Sequence, residues 1–243
     1  GRFLVTAQVR DRASNTSFLL ISVSKGATWD GGWKNWAIDA TLDGTTKTQN
    51  WADFPQVGFD DKAVYVTALM FDFATSTYQY SKIRIFKKSD LYNAAATSLP
   101  YFDFAKLKNE DGTNASTLQP MHTRGRLAVG PRPSMIINAS DVAAADYYTL
   151  WTIDDPTAAT PTIARFTIKN SWKYDFPASA PQKGTFVKLD TGQSSILKAV
   201  YRDGIIFTAQ NVQLQDQPTT VLYTRFDATS KAITVQSRLA NRR

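Results

Sequence analysis

The sequence predicts an all-β protein, and three features support this fold class. Apolar and polar residues alternate with a period of two along most of the chain, as in strands with one buried face. Every acidic residue except Glu110 is an aspartate, which favours turns, whereas glutamate favours helices. The chain also holds 28 threonines and 14 phenylalanines, residue types that are enriched in strands. These features exclude a helical protein.

The predicted strands fall into four sets. We expect the first at 2–10, 17–24 and 33–41; the second at 54–59, 63–72, 78–87 and 101–105; the third at 117–122, 134–139, 147–154 and 162–169; the fourth at 195–201, 204–212, 220–227 and 232–238. Long loops are expected at 42–50, 106–116 and 170–194. Short helical turns are expected near 89–96, with Ser89 or Asp90 as the cap, and in 141–146.

Successive sets repeat one another, with residues 59–68 similar to 201–209. Four-stranded antiparallel units that recur about every 60 residues are the sequence pattern of a β-propeller. Pro55 and Pro120 each lie in the first strand of a set, and a proline is tolerated in a strand at a sheet edge. We therefore predict a single β-propeller domain, or a fragment that is part of a larger propeller. Its approximate blades are 1–50, 51–115, 116–180 and 181–243.

The first set has three strands where the others have four, and the chain opens directly on a strand pattern. We therefore expect the chain to be a piece of a longer polypeptide, with an exposed strand edge that is prone to pair with other chains.

The composition excludes several kinds of site. The sequence has no cysteine, which excludes disulfides and thiolate chemistry, and its single histidine, His122, excludes multi-histidine metal sites. The most apolar run, 63–71, is far shorter than the roughly 20 residues of a membrane-spanning helix, so we expect no membrane span.

The net charge of +7 and the pI near 9.5 raise the question of an anionic partner. The basic residues are scattered, with the densest spots at 87–88, 124–132 and 242–243, which argues against a specific nucleic-acid binder. Attraction to anionic glycans or cell surfaces stays open. Three Asn-x-Ser/Thr sequons, a number close to chance in this composition, do not decide the compartment; they begin at Asn15, Asn114 and Asn138.

Residues 51–71, WADFPQVGFDDKAVYVTALMF, contain the motif Trp-Ala-Asp-aromatic-Pro. This motif resembles the blade entry of a family of large, mostly uncharacterised, secreted or cell-surface microbial β-propeller proteins, distantly similar to sialidases. The similarity extends to all four sets, through residues 18–39, 82–92, 118–122 and 180–204. It implies an extracellular or cell-surface location and no particular activity. The chain departs from the family at 27–32, where relatives tend to have Asp-Pro-x-Gly.

Residues 28–32 partly match the Asp-box turn of sialidase-type propellers, but the aromatic residue is misplaced. Even a complete Asp-box is a folding turn. Sialidase chemistry resembles a tyrosine nucleophile paired with a glutamate and an arginine triad, and Glu110, in an apparent loop, is a poor candidate for that glutamate.

An ordinary glycosidase needs two carboxylates facing each other across the sugar. Asp53 and Asp190 are the candidates, because each stands near the entry to an innermost strand. The alternative is that both accept hydrogen bonds from backbone N–H groups. His122 is a candidate general base, with a structural hydrogen-bonded role as the alternative.

Calcium is the one metal alternative, with oxygens from Asp60, Asp61 and residues 109–112. Neither segment has the spaced set of ligands that calcium requires, so solvated turns are favoured and no cofactor is expected.

Six tryptophans support a binding interpretation: Trp29, Trp33, Trp36, Trp51, Trp151 and Trp172. The first three flank a glycine-rich turn, where flat rings either stack on sugar faces or pack on a neighbouring blade. We take Trp29, Trp33, Trp36, Trp51 and Arg202 as candidate ligand-binding residues.

These observations favour an extracellular binding or structural module, with a glycan or cell-surface protein as partner, over an enzyme. One alternative is a glycoside hydrolase that uses aspartates at the mouth of the central channel. Another is a subunit of a cell-surface assembly or filament, with self-association of the chain.

Overall fold

The computed structural model describes residues 1–93, 95–124, 134–215 and 218–239. It is all-β, with 58% strand and 2% helix, which confirms the predicted fold class. The one helix among the described residues, α1 (Lys88–Leu91), begins earlier than expected, and no side chain caps it. The predicted cap is therefore wrong. The helical turn expected in 141–146 is also wrong, because a strand begins at Ala145 after a bend and turn.

The strands form four antiparallel groups. Group 1 is β1 (Leu4–Asp11), β2 (Thr16–Ser24) and β3 (Trp33–Asp39), followed by a short hairpin, β4 (Leu42–Asp43) and β5 (Thr46–Lys47). Group 2 is β6 (Asn50–Phe59), β7 (Ala63–Asp72), β8 (Tyr78–Lys87) and β9 (Phe102–Ala105). Group 3 is β10 (Gln119–Arg124), β11 (Ser134–Ala139), β12 (Ala145–Asp154) and β13 (Thr162–Asp175). Group 4 is β14 (Lys198–Arg202), β15 (Ile205–Leu214), β16 (Thr220–Asp227) and β17 (Ala232–Leu239).

The expected loops differ in part from the structure. The β4–β5 hairpin lies inside the first of them. The third expected loop begins later than residue 170, because β13 is 14 residues long and continues to Asp175. Residues 125–133 and 240–243, which carry two of the basic spots, lie outside the described residues.

The first strands of groups 2, 3 and 4 lie side by side and run parallel. β10 pairs with β6 at His122 and Phe59, and with β14 over four residues. Six strands, β10, β11, β12, β13, β15 and β14, pair in a closed ring and form a β-barrel, from which the other strands of groups 2 and 4 extend.

Three hydrophobic cores lie between consecutive groups. Side chains of β2 and β3 pack on one face of group 2, with Ile21 and Val66 among them. The other face of group 2 packs on group 3 through residues such as Tyr65 and Ile136. The opposite face of group 3 packs on group 4, where Tyr148 meets Phe226 edge to face. The groups are therefore stacked in chain order.

The approach of group 2 to group 3 depends on a glycine. A Cβ atom on Gly58 would lie 2.6 Å from both the carbonyl carbon and the Cβ of Pro120, far inside van der Waals contact. Pro55 lies within a register shift between Asp53 and Gln56, so its missing N–H is tolerated at an irregularity of the ladder.

Two buried polar clusters connect the strands. Arg84 donates through Nε and Nη2 to both carboxylate oxygens of Asp103, at 2.8 and 2.7 Å, and both side chains are almost fully buried. Asn138, also fully buried, donates to Asn109 Oδ1 at 3.2 Å and accepts a hydrogen bond from Trp151 Nε1 at 2.8 Å. These bonds satisfy polar groups whose burial would otherwise destabilise the fold.

Candidate functional site

A cavity of about 390 Å³ lies where group 1 meets the inner strands of the other groups. Group 1 and the segment that precedes β1 contribute Gly1, Arg2, Phe3, Leu4, Thr6 and Val23. The other side is formed by Val57, Phe59, Val64, Lys88, Tyr92, His122 and Lys198. All four groups therefore contribute to one concave surface, the kind of place where ligands bind in proteins.

The segment that precedes β1 is held by the end of β2. The backbone of Phe3 exchanges hydrogen bonds with Ser24, donating to its Oγ at 2.9 Å and accepting from its N–H at 3.0 Å. Arg2 donates through Nη1 to the Ser24 carbonyl oxygen at 2.8 Å, and its Cζ lies 5.1 Å from the ring centroid of Tyr92. The guanidinium is thus fixed at the cavity wall, with aromatic contact on one side.

Lys88 is positioned by α1 at the opposite wall. Its Nζ donates to the carbonyl oxygen of Asp60 and lies 5.2 Å from the ring centroid of Phe59. Partial burial lowers the pKa of Lys88, and the nearby carboxylates of Asp60 and Asp61 oppose this shift. Lys198, at the start of β14, supplies a third cation and is exposed.

His122 is a residue of β10 and lies opposite Phe59 of the parallel strand β6. Its Nε2 lies 2.7 Å from the carbonyl oxygen of Val57, so Nε2 carries the proton and donates. Its ring also packs on Phe59, with centroids 4.9 Å apart. This contact supports the structural alternative for His122, although the side chain also faces the cavity.

The charged side chains that line the cavity are all basic. Arg2, Lys88 and Lys198 carry positive charge, and none of the residues that line the cavity is acidic. The remaining surface is mostly aliphatic and aromatic. Such a surface can hold an anionic group near the cations and an apolar face of the same molecule against the rings. The lining carries no pair of carboxylates for acid and base catalysis.

The two candidate catalytic aspartates occupy different environments. Asp53 Oδ1 accepts hydrogen bonds from Gln8 Nε2 at 2.5 Å and from the Phe54 N–H at 2.9 Å, joining β1 to β6. Asp190 is exposed and accepts from the Gly192 N–H at 2.8 Å. Among the hydrogen bonds of the described residues none joins these two carboxylates, and neither residue lines the cavity. Their contacts support the backbone-bonding alternative.

The tryptophans divide by burial. Trp36 and Trp51 are buried, and Trp51 is stacked on Phe71 with the Arg10 guanidinium 3.6 Å from its ring centroid. Trp33 is half-buried and donates to the Trp29 carbonyl oxygen at 2.9 Å. Trp29 is 70% exposed. Burial favours packing for Trp36 and Trp51 and leaves Trp29 as the accessible ring.

Arg202 lies on the exposed surface, with its Nε 3.5 Å from Asp203 Oδ2. It does not line the cavity.

Two of the candidate calcium ligands, Asp60 and Asp111, are engaged by protein donors. Asp60 accepts hydrogen bonds from the N–H groups of Lys62 and Ala63, both at 2.8 Å, and from the Tyr65 hydroxyl at 2.6 Å. Burial and the Asp60 carboxylate raise the pKa of Tyr65. At Asp111, partial burial opposes ionisation, but hydrogen bonds from Thr113 and Tyr147 hold the pKa of the carboxyl below its usual range.

Within the described residues, no cluster of three or more histidine, cysteine, aspartate or glutamate side chains is placed to hold a metal ion. The structure also has, in its described part, no helix of the length and hydrophobicity needed to cross a membrane.

Sequence reasoning missed Arg2, Lys88 and Lys198. The three residues come from three separate segments, and each is an ordinary surface cation by sequence. Lys88 belongs to the basic pair at 87–88, but the sequence around it gives no sign of a cavity.

A scan against protein-family models, a search of curated proteins and a search of solved structures each found no match to this chain. The resemblance of residues 51–71 to microbial propeller proteins therefore stays a prediction.

Proposed function

We propose that this chain is a β-propeller segment that acts as a binding module, and that its cavity binds an anionic ligand. An acidic saccharide is the ligand class that fits best. The observation that carries the proposal is the grouping of Arg2, Lys88 and Lys198 around an apolar cavity whose lining has no acidic residue.

Two arrangements support the propeller part of the proposal. The four strand groups are stacked in chain order with a core between each neighbouring pair. The first strands of groups 2, 3 and 4 are parallel neighbours, as the innermost strands of blades are around an axis.

The saccharide part rests on the pairing of charge with flat apolar surface. A carboxylate or sulfate on a sugar ring can accept charge-assisted hydrogen bonds from Arg2 and Lys198. The C–H face of the same ring can pack on Tyr92, which lies beside Arg2. The excess of cations over the whole chain, at net charge +7, would increase the rate of encounter with such a ligand.

The test uses a uronic acid tetrasaccharide and its carboxyl-reduced, neutral counterpart as matched probes in isothermal titration calorimetry. The acidic probe should bind and the neutral one should bind at least about tenfold more weakly, because a charge-assisted hydrogen bond contributes about 1.5 kcal/mol or more. Raising the salt concentration should weaken binding of the acidic probe only.

Two variants and a control locate the site. Arg2→Gln and Lys198→Gln should each weaken binding of the acidic probe by about tenfold. Lys169→Gln removes the same charge from an exposed position on β13 outside the cavity, and it should leave binding unchanged. Equal binding of the two probes, or equal loss in all three variants, would contradict a charged saccharide site in the cavity.

A further inference from the structure

A buried lysine of group 2 contacts a carboxyl group of the β4–β5 hairpin. Lys82 Nζ lies 2.8 Å from Asp43 Oδ1, and the two side chains are only 4% and 14% exposed. Among the described residues, Asp43 Oδ1 has no other hydrogen-bond donor. Lys82 belongs to β8 and Asp43 to β4. An amine and a carboxyl group from distant parts of the sequence are therefore held in contact inside the protein.

The surroundings of Lys82 keep its amino group away from water. Its Nζ also donates to the carbonyl oxygens of Ala40 and Leu42, at 3.0 and 2.5 Å, and its side chain borders a small, mostly aliphatic cavity. Burial lowers the pKa of Lys82, Asp43 opposes this shift, and the charge of Arg84 adds to it. A desolvated lysine is more readily deprotonated than an exposed one, and the neutral amine is the nucleophilic form.

The Tyr80 hydroxyl contacts the other oxygen of the same carboxyl group. It donates to Asp43 Oδ2 at 2.7 Å. Burial raises the pKa of Tyr80 to about 12, so the hydroxyl keeps its proton at neutral pH. A donor at Oδ2 stabilises the negative charge that develops there when a nucleophile adds to the carboxyl carbon. The carboxyl group thus has a nucleophile beside Oδ1 and an oxyanion donor on Oδ2.

We propose that Lys82 and Asp43 condense to form an isopeptide bond between the β4–β5 hairpin and group 2. One ammonium proton moves to Oδ1, and the neutral Nζ adds to Cγ, which places the negative charge on Oδ2. A second proton moves from Nζ to Oδ1, the Cγ–Oδ1 bond breaks, and Oδ1 leaves as water. Nζ keeps its third proton as the amide N–H, and Oδ2 becomes the amide oxygen. The reaction consumes no oxidant and no other reactant.

Burial favours this reaction over a stable ion pair. In water, hydration keeps an amine and a carboxylate ionised, and the interior removes that hydration. Condensation replaces two buried charges by one neutral amide. The fixed contact also removes most of the entropy cost of bringing the two groups together. The nearby pair Lys47–Asp39 has side chains that are 53% and 31% exposed, so it should stay ionic.

Mass spectrometry of the intact, denatured chain tests the proposal. Condensation removes one water, so the mass should be about 18 Da below that of the sequence. Trypsin should release residues 35–47 joined to residues 63–84, because it does not cleave after an amidated Lys82. A folded chain that keeps its full sequence mass on incubation at neutral pH would overturn the proposal. None of the reacting residues lines the cavity, so this result is independent of saccharide binding.

Variants identify the two residues that react. Lys82→Arg and Asp43→Ala should each have the full sequence mass. Lys106→Gln removes a second amine near Asp43, with Nζ 3.8 Å from Oδ2, and should keep the mass deficit, as should Lys47→Gln at the exposed pair. Circular dichroism checks that every variant is folded. Loss of the deficit in Lys106→Gln, or its persistence in Lys82→Arg, would show that Lys82 is not the nucleophile and would overturn the proposal.

Tyr80→Phe tests the oxyanion donor. The chain is made by cell-free synthesis, and its mass is followed over time. The deficit should appear at least about tenfold more slowly in Tyr80→Phe than in the original chain, because the donor to Oδ2 is missing. An unchanged rate would overturn the role of the Tyr80 hydroxyl in the reaction.

Discussion

Group 2 and group 4 have strands of similar length but bury them differently. In β7, seven of ten residues are buried, because cores lie on both of its faces. In β15, five of ten are buried, in strict alternation with more exposed residues. The difference shows that the position of a group in the stack decides how much a side chain contributes to stability. Equivalent substitutions should therefore have unequal effects inside and at the ends.

The largest expected effect is at the buried ion pair of group 2. Asp103→Ala leaves the Arg84 guanidinium buried without its carboxylate and should lower the free energy of unfolding by about 3–5 kcal/mol. The corresponding change in group 4, Asp203→Asn, removes the charge of an exposed pair with Arg202, keeps a side chain that tolerates the positive φ of this turn position, and should cost about 1 kcal/mol at most. Urea unfolding measures both. Similar losses of unfolding free energy in the two variants would show that burial of the ion pair does not decide its contribution to stability.

A smaller contrast is expected for aliphatic side chains. Ile136→Ala, in the core between groups 2 and 3, removes a fully buried side chain and should lower the free energy of unfolding by about 2–5 kcal/mol. Val5→Ala, at an exposed position on β1, should change it by about 0.5 kcal/mol or less. Thermal unfolding measures both. An effect of Val5→Ala close to that of Ile136→Ala would show that burial of the side chain does not decide its contribution to stability.

The smallest effect is expected at the hairpin turns, where inner and end groups should behave alike. Hydrogen bonds from Thr75 lower the pKa of Asp72 in group 2 below its ordinary 3.8, and hydrogen bonds from Ser230 do the same for Asp227 in group 4. Because the folded state holds these carboxylates ionised, their stabilising contribution is complete above about pH 4 and is lost as the pH falls through the lowered values.

Asp72→Asn and Asp227→Asn should each reduce the fall of Tm between pH 5 and pH 2.5, by less than about 4 °C. Calorimetry at a series of pH values measures it. A markedly larger effect in group 2 would contradict the equivalence of the two turns.

The sequence was sufficient for most of the strands, because alternation is a local property. The run AVYVTALMFD of β7 is nearly all apolar and fits a strand covered on both sides, whereas TVLYTRFD of β16 mixes apolar and polar residues and is buried on one side. The helical turn in 141–146 failed because alanines favour a helix locally, while pairing of β12 with β11 and β13 is a tertiary effect.

The site could not be predicted in the same way. Asp53 was chosen for its place near a strand entry, but its partner Gln8 lies 45 residues away in the sequence. Arg2 and Lys198 meet at one cavity only after four groups have stacked. Partners so distant in sequence leave no local pattern.

The burial of Asn138 has a consequence for modification of the chain. Of the three Asn-x-Ser/Thr sequons, this one begins at a fully buried residue whose amide is bonded to Asn109 and Trp151. A transferase cannot reach that nitrogen in the folded state, and a glycan attached earlier, during synthesis, would occupy the space of the core. Asn15, exposed in the β1–β2 turn, has no such barrier. The folded chain therefore limits sugar attachment to its surface sequons.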